Sequence, residues 1–383
     1  MTRKVVRVAM NGVTGRMGYR QHLVRSLLSI REQGGVWLAD GSAIVPEPIL
    51  VGRSEGRLRE IAERHGLPHW STRLDEVLAD PGVDVYFDAQ VTSAREPSLG
   101  RAIAAGKHVY TEKPVADSLD GALRLARAAR EAGLTNGVVQ DKLFLPGVIK
   151  LRRLLREGFF GRVLAVRLEF GYWVFEGEGV PAQRPSWNYR AEDGGGIVLD
   201  MFPHWQYLLE DLFGPVTAVY AREARHVPRR WDETGAPYDV TAADAAYAVL
   251  ELEGGVLASV NSSWAVRVNR RELLELQVDG THGSAVAGLR HCAVQHRVST
   301  PAAVWNPDLP DPLDYPAQWA DVPDNAVFDN GFKTQWEQFL RAAAEGTGVP
   351  WDLAEGAKGV QLAGLALQSS AERRRLDVPA LAV

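Results

Sequence analysis

Lys113 stands between a carboxylate and a proline in the segment Ala105-Gly-Lys-His-Val-Tyr-Thr-Glu-Lys-Pro114, at the expected end of a buried strand. A lysine held at such a junction can donate or accept a proton, whereas one at an ordinary strand end would only be solvated. Glu112 beside it reads as a contact to a cofactor or as an anchor for the loop. Further along, Asp200 and His204 are four residues apart, a spacing that stacks two side chains on one helix face. Proline is tolerated in the first turn of a helix, so Pro203 predicts Asp200 just before the helix and His204 at its start. The pair reads either as polar groups facing a ligand or as a capping aspartate with a packed histidine. Gly194-Gly-Gly196, just before them, permits close backbone approach to a ligand or cofactor.

The start of the chain suggests what such a proton transfer would accompany. An apolar strand is followed by Asn11-Gly12-Val-Thr-Gly15-Arg-Met-Gly18 and then by a helical pattern. Glycines in that setting allow a tight turn, and the helix N-terminus offers unpaired N–H groups and a positive dipole to a pyrophosphate. Gly12, Thr14, Gly15, Arg16, Met17 and Gly18 are therefore the expected first contacts of a dinucleotide. Gln90, Thr92, Glu112, Lys113 and Gln140, at the ends of later strands, complete the expected cofactor set. The second strand ends Leu50-Val-Gly-Arg-Ser54, with no acid for a ribose 2′-hydroxyl. Arg53 and Ser54 instead suit a 2′-phosphate and favour NADP(H). If Arg53 is only a solvated turn residue, Glu55 supplies an acid and NAD(H) can serve. With a nicotinamide nearby, oxidation of a secondary alcohol needs a base at the hydroxyl and the reverse reaction needs an acid. Lys113 suits both.

The elements that would position these groups follow an alternating pattern. Over the first 140 residues short apolar runs alternate with helices, as in a parallel α/β sheet. Strands are expected at Val5–Met10, Ile49–Gly52, Val83–Ala89, His108–Thr111 and Val138–Gln140. Helices are expected at Met17–Gln33, Glu55–His65, Ser98–Ala105 and Leu119–Ala132, and Ala39–Pro48 reads as a polar insertion. Beyond Pro146 a helix (Val148–Glu157) leads into strands at Val163–Phe170, Val216–Ala221, Ala245–Glu253, Val256–Ser263 and Glu272–Asp279. Their turns predict an antiparallel or mixed sheet. Residues 300–330 hold eight prolines or tryptophans and read as a long loop, a lid or an interface arm. Glu337–Ala344 and Leu353–Ala371 are expected to close the chain as amphipathic helices.

Composition narrows the partners. The 383 residues suffice for one large or two ordinary domains, and a net charge of −5 argues against a nucleic-acid or membrane-surface binder. One cysteine, Cys292, leaves no disulfide within the chain. His291 and His296 flank it, but a strand would turn the two histidines to opposite faces, so no metal site is expected. The opening residues form a strand pattern without an apolar leader, and no apolar run approaches the roughly 20 residues of a membrane span. A cytoplasmic chain is the expectation.

Several stretches together resemble the glucose–fructose oxidoreductase / inositol 2-dehydrogenase (Gfo/Idh/MocA) family. They are the glycine loop, Asp84-Val-Tyr-Phe-Asp88, the Ala105–Pro114 segment, Gly194-Gly-Gly-Ile-Val-Leu-Asp-Met-Phe-Pro-His204, and the ending from the aromatic-rich helix around Phe339 to Gln368-Ser-Ser370. The resemblance covers essentially the whole chain. It implies a Rossmann dinucleotide-binding domain (1–142) and an α/β domain (143–383) on a large open, mostly antiparallel sheet that binds substrate and forms oligomers, a homodimer or homotetramer. It further implies a cis bond before Pro114, and hydride transfer between NAD(P) and a sugar, cyclitol or related polyol. His204 is then a second acid/base group beside Lys113, and Asp200 orients the substrate hydroxyls.

Other residues extend this picture or depart from it. Trp187-Asn-Tyr-Arg190 offers aromatic faces to a sugar ring and a guanidinium to its hydroxyls, or else is core. Lys142 lies near the expected cleft. The G-x-x-G-x-x-G spacing is more like that of dihydrodipicolinate reductases, which keeps a C=N or C=C reductase as an alternative. A non-catalytic NAD(P)-sensing protein is the other. Gln90-Val-Thr92 with Arg95, and Gln140-Asp-Lys142, stand where the family usually has other residues.

Overall fold

The computed structural model describes every residue except 1, 172–180, 182–183, 267, 269, 301–307, 309–313, 315 and 383. The chain forms two compact units. Met1–Phe144, Asp329–Gln361 and Ala380–Val383 make the first; Leu145–Phe328 and Leu362–Pro379 make the second. Among the described residues no helix is long and apolar enough to cross a membrane.

The first unit is built on a seven-stranded sheet. Its order is Val36–Trp37, Ala43–Val51, Arg3–Asn11, Val85–Asp88, His108–Thr111, Asn136–Val138, with Trp70–Ser71 also paired to Ala43–Val51. Every pairing is parallel except that of Val36–Trp37. The central strands are apolar runs of Val, Ala, Tyr and Phe, buried on both faces as a covered parallel sheet requires. The second strand departs from the expected polar insertion. It runs Ala43–Val51 through Pro46 and Pro48, in register with the whole of Arg3–Asn11. The Leu50 N–H points outward to His69, so the missing N–H groups of Pro46 and Pro48 lie on that same outer side. No neighbour pairs with the strand there between residues 44 and 50, so the prolines remove no ladder bond.

Helices at Glu55–His65 and Leu119–Glu131 fall where expected, each followed by a turn that closes on a positive-φ glycine, Gly66 or Gly133. The helix expected at Ser98 begins at Thr92 instead, with Pro97 inside it on the solvent side. The first helix, Met17–Leu28, winds with wide π-type turns before one α turn, Ser29–Glu32. One end of the core is aromatic. Phe339, from the helix Gly331–Glu345, stacks on Tyr110 at 4.9 Å, and Trp336 meets the same ring edge-on at 4.7 Å. A Cβ at Gly137 would lie 2.7 Å from the Trp351 ring, so the last strand keeps a glycine where the aromatics close over it.

The second unit carries a nine-stranded mixed sheet. Its order is Ala320–Asp321, Cys292–His296, Gly283–Gly288, Leu274–Gly280, Val163–Gly171, Leu257–Ser263, Ala245–Leu252, Val216–Ala224, Leu376–Asp377. Among the described residues only Val163–Gly171 and Leu257–Ser263 run parallel in it. Glu253-Gly-Gly255 makes the turn between Ala245–Leu252 and Leu257–Ser263. The strands Gly283–Gly288 and Cys292–His296 are additions to the sequence-based set, their alternation weakened by glycine and alanine. The helices Pro146–Arg156 and Ile197–Phe213 belong to this unit, and Trp205 of the latter packs on Phe170 at 5.1 Å. Of the 300–330 stretch, residues 301–307, 309–313 and 315 lie outside the described residues, and Ala320–Asp321 is an edge strand.

The stacked aromatics make a direct stability prediction. Phe339 is fully buried against Tyr110, so Phe339→Ala should cost about 3–5 kcal/mol in urea unfolding. A loss under about 1 kcal/mol would mean that the ring is not part of a close-packed core.

Candidate functional site

The glycine loop sits at the carboxyl end of the first strand, where ligands bind in open parallel sheets. Gly12 has φ +86°, and a Cβ there would lie 2.6 Å from the backbone of Ala89. Gly18, in the first turn of the following helix, would bring a Cβ within 2.6 Å of the Gly12 carbonyl oxygen. The Gly15 N–H donates to that same oxygen at 3.0 Å, and Tyr19 N–H to the Gly15 oxygen at 2.8 Å. Two of the three glycines are thus demanded by backbone contact, leaving a side-chain-free cradle at a helix start. Thr14 and Met17 are partly buried in it, and Arg16 is exposed at its rim. Gln90, beside the loop, has a buried Oε1 with no hydrogen-bond partner among the described residues, as a site for an amide- or hydroxyl-bearing ligand would leave it. These residues fit a dinucleotide.

Arg53 and Ser54 are exposed at the end of the neighbouring strand, and the Ser54 side chain does not cap the helix it precedes. Glu55 is held by Arg59 at 2.7 Å. On the other side of the loop, Asp88 is fully buried and accepts bonds from the Tyr86 hydroxyl at 2.6 Å, the Gln90 N–H at 2.9 Å and Arg95 Nε at 3.3 Å. Burial pushes the Asp88 carboxyl above its ordinary range, against the pull of the Arg95 charge. Arg95 also donates to the carbonyl oxygens of Gln90 and Pro114. The residue read in the sequence as a departure from the family is therefore a buried tie between two loops. Thr92 begins the helix that carries it.

The Lys113–Pro114 bond is cis, as the resemblance implied. Lys113 is partly buried, and its backbone N–H donates to Glu112 Oε2 at 3.2 Å. Glu112 is buried, with Oε1 2.9 Å from His22 Nε2. Burial alone would raise its carboxyl, but the His22 hydrogen bond and the nearby charges of Lys113 and Arg95 bring it below its ordinary value. Gln140 is buried, its N–H taken by the Gln335 side chain at 2.9 Å. Lys142 lies 3.6 Å from Asp141 in the short turn that follows.

In the second unit the helix Ile197–Phe213 corrects the expected start. Asp200 is in its first turn and Pro203 lies inside it, well past the turn where proline is easily tolerated. Asp200 and His204 are thus one helical turn apart. His204 is buried, with Nδ1 2.8 Å from the Tyr207 hydroxyl. Asp200 is partly exposed and pairs with Arg184 Nη1 at 2.5 Å. Arg184 also donates to Asn188 Oδ1 at 3.2 Å and lies 4.7 Å over the Trp264 ring. Arg184 and Tyr207 were not singled out from sequence. Tyr207 has the i,i+3 spacing to His204 that could have flagged it; Arg184 has no local signal.

The glycines before this helix serve the chain itself. A Cβ at Gly195 would lie 2.4 Å from the Trp187 carbonyl oxygen, and Gly196 N–H donates to Asn188 O at 2.9 Å. Within Trp187–Arg190, Tyr189 is buried between Trp264 and Arg230, whereas Trp187 is 47% exposed. Arg190 stacks on Tyr238 at 4.8 Å, so the guanidinium that answers Asp200 is that of Arg184. His291 lies 3.4 Å from Asp321, and His296 takes the Val298 N–H at 3.2 Å.

A nucleotide cradle on a parallel sheet, followed by a unit with an aspartate–histidine helix on a mixed sheet, defines a two-unit dinucleotide-dependent oxidoreductase. Residues 6–140 match the model of the oxidoreductase family with NAD-binding Rossmann fold, and residues 148–286 match the GFO/IDH/MocA C-terminal domain. The chain belongs to the GFO/IDH/MocA oxidoreductase family. It is 59% identical to a D-xylose dehydrogenase of Paenarthrobacter nicotinovorans over 98% of both chains. It is 29% identical to a 1,5-anhydro-D-fructose reductase of Ensifer adhaerens, over 70% of this chain and 74% of that one. Among solved structures, levoglucosan dehydrogenase with NADH and levoglucosan superposes with a TM-score of 0.81 at 19% identity, over 98% of this chain and 100% of the other. Aldose-aldose oxidoreductase from Caulobacter crescentus does so with 0.74 at 20% identity, over 98% and 99%.

The cradle can be tested at Gly12. A side chain there meets both a positive φ and the Ala89 backbone, a strain of at least about 1–2 kcal/mol. Gly12→Ala should therefore weaken NAD(P)H binding by roughly tenfold or more in a fluorescence titration. Wild-type affinity in the variant would show that the loop has room to move.

Proposed function

We propose that this chain is an NAD(P)-dependent aldose dehydrogenase that takes D-xylose or a closely similar pyranose. The observation that carries the reading is the 59% identity to a D-xylose dehydrogenase along 98% of the chain. A bound nicotinamide supplies the hydride acceptor. Lys113 and His204 are the proton-handling groups at the substrate hydroxyl, and Asp200 orients neighbouring hydroxyls. Such a carboxylate needs a fixed direction, and its bond to Arg184, itself laid over Trp264, supports that role. The Tyr207 hydroxyl on Nδ1 fixes the His204 ring in the same way. No observation favours the C=N or C=C reductase or the sensor.

The cofactor we propose is NADP(H), with NAD(H) as the lesser partner. Arg53 and Ser54 are exposed where a 2′-phosphate would lie, and the carboxylate of Glu55 is engaged by Arg59. We further propose that a second copy of the chain covers one face of the nine-stranded sheet. Tyr220, Tyr247, Val249 and Leu257 stand on adjacent strands of that face, 39–51% exposed, with Val249 directly opposite Tyr220. An apolar group of this kind on a sheet face is characteristic of a subunit contact.

Four measurements test these readings. Lys113→Ala should lower kcat by roughly 10²- to 10⁴-fold on D-xylose while the cofactor Kd stays near wild type; a change confined to KM would remove the proton role. Across pentoses, hexoses, inositols and anhydrosugars, the highest kcat/KM is expected on D-xylose, and a cyclitol in first place would overturn the aldose reading. In calorimetry Arg53→Ala should weaken NADP(H) by about tenfold and leave NAD(H) unchanged, as loss of one charge-assisted contact implies. An unchanged ratio would dismiss the 2′-phosphate contact. Val249→Arg should shift the sedimenting species to a smaller assembly if the sheet face is the contact.

A further inference from the structure

The first unit contains a polar chain that the reaction described so far does not use. Trp336 Nε1 donates to His22 Nδ1 at 2.9 Å, and His22 Nε2 lies 2.9 Å from Glu112 Oε1. His22 and Trp336 are both fully buried. Aromatic rings enclose the histidine, with Phe87 at 4.3 Å, Phe332 at 5.2 Å and Tyr110 at 6.4 Å between centroids. An indole N–H can only donate, so His22 Nδ1 must accept. The ring proton is then on Nε2 and points at Glu112. The second Glu112 oxygen receives the backbone N–H of Lys113.

We propose that His22, locked in this tautomer by Trp336, is a positioning residue that holds Glu112 and, through it, the Lys113 backbone in place. The inference rests on the proton role given to Lys113 above. Its geometry is economical: a buried carboxylate must have its lone pairs answered, and each oxygen here meets one donor, His22 from the first helix on Oε1 and the adjoining Lys113 N–H on Oε2. The charged or titratable groups facing Glu112 are His22, Lys113 and Arg95, with the Tyr110 hydroxyl on the neighbouring strand. Replacing the His22 donor leaves burial to act on Glu112 with less opposition, so its carboxyl takes up a proton at higher pH. A displaced Lys113 then loses turnover rather than cofactor affinity.

The test uses the full-length protein with NADP⁺ and D-xylose, or the best sugar of the panel. His22→Met should lower kcat about ten- to a hundredfold, the scale expected for a slightly misplaced catalytic group. The cofactor Kd should stay within about twofold, and the acid limb of the kcat–pH profile should move to higher pH. His22→Gln, whose amide can accept from Trp336 and donate to Glu112, should restore most of kcat and the wild-type limb. A folded His22→Met with wild-type kcat and limb overturns the proposal, as does a His22→Gln as impaired as His22→Met. If His22→Met does not accumulate, Trp336→Phe reads the same link by deleting the indole N–H, and wild-type kcat and limb there overturn it too. An active Lys113→Ala would instead remove the proton role of Lys113 and this inference with it. An inactive Lys113→Ala beside an unaffected His22→Met removes only the part given to His22.

Discussion

The carboxyl edge of the parallel sheet buries charge, and the local structure there is organised around answering it. Asp88, Arg95 and Glu112 are all nearly inaccessible. An unpaired charge in such a place would be strongly destabilising, so the surrounding segments are bound to supply donors and acceptors. Asp88 draws in Tyr86, which in turn takes the Asn11 amide, tying the first strand to the Val85–Asp88 strand at its tip. Arg95 spans from Asp88 to the carbonyl oxygens of Gln90 and Pro114. The glycine loop is pressed against Ala89, immediately beyond this network. Close backbone approach and buried charge therefore fix the same few residues, and a ligand cradle results because the side chains have been removed or engaged elsewhere.

The second unit solves a related problem at a partly exposed carboxylate. Asp200 keeps contact with solvent, and Arg184 meets it without leaving its own charge unsupported, because the guanidinium also rests on Trp264 and reaches Asn188. The adjacent Gly195 is needed for the backbone of Trp187 and Asn188 to come close, which sets the turn that leads into the helix. Sequence pattern read these glycines as room for a ligand. Their first use is room for the chain.

What was legible in the sequence shares one property: its signal is local. The glycine loop, the strand Val85–Asp88, the helix Glu55–His65 and the hairpin around Glu253-Gly-Gly255 are each marked by residue types within a few positions, although the loop and the strand also meet distant backbone at Ala89 and at Val8–Asn11. What escaped depends on distant partners. Pro46 and Pro48 belong to a strand because the outer edge needs no N–H at those positions, a fact about pairing and not about proline. The helix expected at Glu337–Ala344 was visible, but it begins at Gly331, so that Trp336 falls inside it, and its place over Tyr110 is decided by shape among aromatics. Arg184 is sixteen residues from Asp200 in sequence and has no periodic relation to it. His22 sits in a helix of mixed character and gains its meaning only from Trp336 and Glu112.

The region around Arg53 shows how similar charges can do different work within a few residues. Glu55 occupies the first turn of its helix, where the positive end of the dipole favours a carboxylate. Arg59 then reaches back one turn to pair with it and lies 5.7 Å over the Trp70 ring. That set is complete within itself: helix end, carboxylate, guanidinium and indole satisfy one another. Arg53, two residues earlier, stands outside it, exposed at the carboxyl end of a sheet strand. Because an exposed ion pair adds little to stability, the arrangement is better explained by which charge it leaves facing the end of the sheet than by what it contributes to the fold. That charge is positive, and it is the feature on which the proposed NADP(H) preference rests.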